Sequence, residues 1–176
     1  MKTKILLILS VIASTSAFAN IDVSAVYRQG IQGDKLQNQT AIAQLQQVYK
    51  QAQSPLTLAL LGSLQAAKAQ FIDSPWQKLQ QAERGASTVA KALKQGQTLP
   101  QQAQKQIAIV AGCTFVRLPE TLHRHQQGMF LLDQVIAAAP TERQAIRCAI
   151  AGAKRLKNKQ KFQQYTALLD SELAGE

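Results

Sequence analysis

Carboxylates, aromatics and cysteines are all scarce in this chain. Ten Asp and Glu face twenty Lys and Arg, aromatics make up 5% of 176 positions, and there are two Cys, two His and one Trp. Asp73, Glu83, Glu120, Asp133, Glu142 and Asp170 form no close pair at helical spacing, which weakens a general acid–base reading. No Gly-rich phosphate loop, Gly-x-Ser-x-Gly elbow or His-Glu-x-x-His is written in it. These absences predict a protein that is not an enzyme and carries no cofactor. Long β-branched runs are missing as well, which argues against sheet. Past the N-terminus, no stretch is long and apolar enough to span a bilayer.

What is present begins with an address. Lys2 and Lys4 precede the apolar run Ile5–Ala13, and Ala17-Phe18-Ala19 supplies the small-x-small pattern of signal peptidase. The pattern predicts a cleavable signal peptide over 1–19 and a mature chain from Asn20. No Cys follows that point to carry a lipid anchor, so a periplasmic protein is expected, with full secretion as the alternative. Removing Lys2 and Lys4 leaves 18 basic and 10 acidic residues, a net charge of +8 in place of +10. Export takes nucleic acid out of reach. Lipid head groups, lipopolysaccharide phosphates and acidic envelope proteins remain as anionic partners, and solubility is the plainer use of the charge. Cys113 and Cys148 in an oxidising compartment are expected to form a disulfide, against the alternatives of separate buried thiols or a redox pair. A bridge across 35 residues would contribute about 3–4 kcal/mol by the chain-entropy argument.

Gln, Ala and Leu dominate the rest and alternate at helical spacing, so the Gln residues read as uncharged helix surface. Residues 20–39, with Gly30 and Gly33, read as an irregular lead-in. The first helix is expected from about Thr40, with Ile42, Leu45, Val48 and Tyr49 on one face. Ser54-Pro55 marks a helix start, and Pro100 and Pro140 each open a further apolar-periodic stretch. Three triplets, Leu61-Gly62-Ser63, Ala111-Gly112-Cys113 and Ala151-Gly152-Ala153, place glycine inside helical stretches. Glycine there costs about 1 kcal/mol relative to alanine, so each one marks a close helix approach.

This spacing resembles the tetratricopeptide repeat, which sets a Leu-Gly pair in its first helix, a small residue twelve positions on, then a large apolar residue and an Ala. From Gly152 the matching positions are Gln164, Leu168 and Ser171. From Gly62 they are Gly85, Val89 and Ala92 after an expanded turn, and from Gly112 they are Gly128, Leu132 and Val135 after a shorter expansion. The consensus Trp and Tyr positions are not filled. The resemblance implies an all-α domain over 40–176, about seven helices in a short right-handed stack of about three helical hairpins. Leu58, Leu61, Leu64, Val89, Leu93, Ile109, Leu132, Val135, Ile146, Ile150 and Leu168 should face inward. The stretch from Leu60 to about Leu132 is also similar to small exported bacterial proteins of unassigned role. That likeness rests on Leu61-Gly62-Ser63, the Pro75-Trp76 turn, and Phe115 with Leu118-Pro119, and it brings no activity with it.

Three groups of residues are candidates for function. Phe71, Ile72 and Trp76, in the first expanded turn, form either an exposed aromatic anchor for a partner or a cap over the end of the helical stack. His123, His125 and Met129 bound any zinc or copper proposal, since His125 and Met129 at i,i+4 share a helix face and suit copper, but no third ligand is evident. Lys154, Arg155, Lys157, Lys159 and Lys161 surround the last turn, where they complement a helix C-terminus or bind an acidic partner. The leading expectation is an exported, non-catalytic helical-repeat adaptor that binds another envelope protein. The alternatives are a carrier of a small ligand or metal in the helical groove, and a binder of anionic lipid or lipopolysaccharide through the basic turn.

Overall fold

The computed structural model describes residues 21–174, so the signal-peptide reading over 1–19 lies outside the described residues. All regular structure among them is helical. There are eight α-helices: α1 (Val23–Gln32), α2 (Lys35–Ala52), α3 (Pro55–Ala67), α4 (Pro75–Gly96), α5 (Gln101–Phe115), α6 (His125–Ala138), α7 (Arg143–Arg155) and α8 (Lys159–Ala174). Two 3₁₀ turns, Lys68–Phe71 and Glu120–Leu122, occupy the two expanded connections. None of the helices is long and apolar enough to cross a membrane.

The structure corrects the reading of 20–39 as irregular. Asp22 caps α1 by accepting from the N–H groups of Ser24 and Ala25. Asp34 and Gln37 close a reciprocal capping box that starts α2 five residues before Thr40. Gly30 does not break α1. It is buried where α1 meets α2, and a Cβ there would fall 2.4 Å from that of Ala41. Ser54 caps α3 ahead of Pro55 as expected, and Pro100 directly precedes α5. Pro140 opens nothing: it sits in a turn, and α7 starts at Arg143.

Packing follows the chain in pairs, α1 on α2, α3 on α4, α5 on α6 and α7 on α8, so there are four pairs where three hairpins were expected. The odd-numbered helices also touch in succession, α1 to α3, α3 to α5 and α5 to α7. The mid-helix glycines lie at these seams. A Cβ on Gly62 would meet the Val89 nitrogen at 2.8 Å, and one on Gly128 would meet the Val116 nitrogen at 2.9 Å. No glycine among the described residues has a positive φ. Gln53, His123 and Lys157 take the left-handed turn positions instead, at φ 48°, 50° and 54°.

The residues expected inside are inside. Leu58, Leu61, Leu64, Val89, Ile109, Leu132, Val135 and Ile146 are buried, and Leu93, Ile150 and Leu168 pack against them half-buried. A polar thread also crosses the core. The Tyr27 hydroxyl lies 3.0 Å from Ser63 Oγ, Ser63 Oγ lies 2.9 Å from Thr114 Oγ1, and Thr114 donates to the Val110 carbonyl at 2.7 Å. It ties α1, α3 and α5 together with each hydroxyl partnered, which keeps its burial inexpensive. Loss of solvent around its hydroxyl raises the Tyr27 pKa, and the Ser63 hydrogen bond and Arg117 charge oppose this only in part. Cys113 of α5 and Cys148 of α7 are joined in a buried disulfide, with their Cα atoms 5.1 Å apart.

Candidate functional site

Because each even-numbered helix packs mainly on its own partner, α4 and α6 leave an open groove of about 750 Å³ with α5 between them. That volume falls within the range of about 300–1,000 Å³ typical of ligand clefts. Leu93 of α4, Ile107 and Ala108 of α5, and Leu131 and Val135 of α6 provide its apolar surface. Gln97, Gln101, Gln102, Gln104, Gln127 and Gln134 surround that surface with side-chain amides. Gln104 is fixed in place, donating to the carbonyls of Gln97 and Leu99 at 3.0 and 2.7 Å. Lys105 also lines the groove, and its charge is paired with Glu142 at 3.1 Å. The result is a neutral surface whose amides both donate and accept hydrogen bonds.

A helical groove follows from the sequence only as an analogy of fold, and no residue can be assigned to it there, since its Gln residues have the spacing of ordinary helix surface. It is assembled from three helices spread over more than forty positions, and no local pattern marks it. Phe71 and Ile72 are half-buried and Trp76 is 67% exposed on the first turn of α4. None of the three lines the groove.

The basic turn is divided. Lys161 pairs with the Asp133 carboxylate, which also accepts from the Tyr165 hydroxyl. Burial raises the Tyr165 pKa above its ordinary 10.0, and the hydrogen bond to Asp133 and its negative charge push it further. Arg155 donates to the carbonyls of Arg117 and Leu118 at 3.1 and 3.0 Å, which fastens the end of α7 to the chain just past α5. Lys154, Lys157 and Lys159 are exposed. Exposed Phe130 and Leu156 sit in the same depression as Lys161. Phe130 had a signal in the sequence: the apolar run Met129-Phe130-Leu131-Leu132 is too continuous for one helix face, so one member has to point outward.

The histidines are kept apart by their environments. His123 is exposed at a left-handed turn, whereas His125 is buried with Nε2 lacking a hydrogen-bond partner. Met129 is buried against the backbone of α7 at Gly152. No group of three or more His, Cys, Asp or Glu gathers among the described residues, and both cysteine sulfurs are used in the disulfide. No protein-family model matches this chain, and no curated protein or solved structure matches it either.

Proposed function

We propose that this chain is an exported, non-catalytic adaptor of the bacterial periplasm that holds an extended peptide segment of another envelope protein in the α4–α5–α6 groove. The observation that carries this reading is the groove's lining: six glutamine amides around an apolar base, with its Lys charge already paired. An extended peptide offers alternating N–H and C=O groups and alternating side chains. Amides satisfy the first and the apolar surface takes the second. A tetratricopeptide-like stack is part of the proposal. That part rests on the spacing of Gly62, Gly112 and Gly152 along the chain. Export rests on the basic, apolar and small-x-small order of residues 1–19. The buried Cys113–Cys148 bridge is compatible with an oxidising compartment.

The test is photo-crosslinking in living cells from Gln101 and Gln134 in the groove, with exposed Gln163 of α8 as the reference position. A discrete protein adduct from both groove positions and none from Gln163 is expected. Silence at both groove positions, or a small molecule retained in the native mass spectrum in place of a protein adduct, overturns the adaptor reading.

A further inference from the structure

We infer that the α7–α8 tip is a second, separate site, a docking face for the surface of an anionic phospholipid bilayer. Two independent features coincide there. The first is charge. Lys154, Lys157 and Lys159 lie within six positions across one turn, all exposed, and no ion pair involves them among the described residues. The nearby acid, Asp133, is already paired with Lys161. The second is apolar exposure. Six large hydrophobic residues are exposed among the described residues, and three of them, Phe130, Leu156 and Phe162, belong to this tip or its immediate neighbourhood. Phe130 and Leu156 border one depression of about 480 Å³ together with Asn158 and Lys161. Phe162 lies on the first turn of α8.

Charge complementarity selects the occupant. An acidic segment without apolar side chains would neutralise the lysines and leave Phe130, Leu156 and Phe162 in water. An anionic bilayer accepts both, since its phosphates meet the ammonium groups and its interfacial layer takes Phe and Leu side chains. The turn is also held in shape. The Asn158 N–H donates to the Ala153 carbonyl at 2.9 Å and the Lys157 N–H to that of Lys154 at 3.2 Å, closing a two-bond helix end. Asn158 Oδ1 then accepts from the Lys161 N–H at 3.0 Å to begin α8. Lys157 occupies the left-handed position of this turn, where glycine sits without steric cost. The chain therefore presents an ammonium group at a position whose backbone favours a residue with no side chain.

That placement makes a clean test possible, because Lys157→Gly removes the charge while relieving the backbone. The purified protein is sedimented with phosphatidylcholine vesicles, with and without phosphatidylglycerol. Binding is expected only where phosphatidylglycerol is present, and it should weaken as salt shortens the screening length. Lys157→Gly should bind about fivefold more weakly while its thermal midpoint stays level or rises, and Lys154→Gln with Lys157→Gly and Lys159→Gln about 100-fold more weakly. Phe130→Ser should weaken binding as well. Equal binding to pure phosphatidylcholine, or an unchanged triple variant, overturns the proposal. So does equal affinity for soluble polyglutamate that Phe130→Ser leaves intact, which would assign an acidic protein. A concentration-dependent dimer abolished by Phe130→Ser would assign a second copy of the chain and also overturns it. None of these results bears on the groove, whose crosslinks are read separately.

Discussion

Replacing Gly85 with alanine should push α3 and α4 apart. The added Cβ falls 2.2 Å from the Ala66 nitrogen and 2.5 Å from its Cα, where ordinary contact begins at 3.4 Å. Both obstacles are main-chain atoms of α3, so no change of rotamer relieves them and a helix has to shift. Alanine recovers about 1 kcal/mol of helix propensity over glycine. Overpacking a tight seam costs about 1–3 kcal/mol or more, and a backbone obstacle places this case at or above the upper end. The net expectation is a loss of about 2 kcal/mol, which for a domain of this size lowers the thermal midpoint by about 4–8 °C. Gly96→Ala, at the C-terminal end of the same helix, provides the comparison. Its Cβ meets the tip of Ile107 at 2.7 Å, and the next atom stands at 3.9 Å. Ile107 borders the open groove and can turn toward it, so this variant should stay within about 0.5 kcal/mol of the parent. Urea unfolding followed by circular dichroism measures both, with unchanged m-values confirming that stability alone has moved. Equal midpoints for the two alanine variants would refute the argument that backbone contact sets the α3–α4 spacing.

Cys148→Ser should cost about 3–4 kcal/mol. Reductant, which reaches the buried sulfurs once urea opens the chain, should lower the stability of the parent by a similar amount and leave the variant unmoved; a parent insensitive to reductant through the whole urea transition would contradict the bridge. Tyr27 and Tyr165 both have folded pKa values raised above the ordinary 10.0, so the unfolded chain releases these protons first. Their contribution to stability is therefore whole below about pH 10 and is lost as pH rises through the folded values. Urea midpoints taken across that range should fall in the parent and fall less steeply in Tyr165→Phe, and identical slopes would contradict the assignment.

The seams were legible because glycine inside a helix has a physical reason to be there. Gly62, Gly112 and Gly152 could be read as contacts before any contact was known, and each lies against a neighbouring helix. Gly30 is a glycine of the same kind, buried in a helix against Ala41. Two glycines close together suggest irregular chain, but Asp22 and Asp34, with Gln37 three residues after Asp34, are helix caps. Those caps supplied a helix signal that outweighed the glycines. Pro140 misled in the opposite sense, because a proline marks a break as readily as a beginning, and here Glu142 immediately precedes the helix. The basic turn was visible as a cluster of charge. Its division into anchored Arg155 and Lys161 and exposed Lys154, Lys157 and Lys159 depends on Asp133 and the Arg117 carbonyl, both distant in the chain. The groove was least legible, since its meaning comes from the gap between helices and not from any one of them.

Cys113 and Cys148 stand on either side of the 3₁₀ turn Glu120–Leu122 and of the whole of α6. A protease that cuts between 117 and 124 therefore severs the polypeptide without dividing the molecule. The two fragments remain covalently tied through α5 and α7, and the buried sulfurs keep the tie out of reach of passing thiols. Such a nick opens a covalent ring and leaves a single molecule, because the pieces on either side of it cannot diffuse apart while the bridge holds.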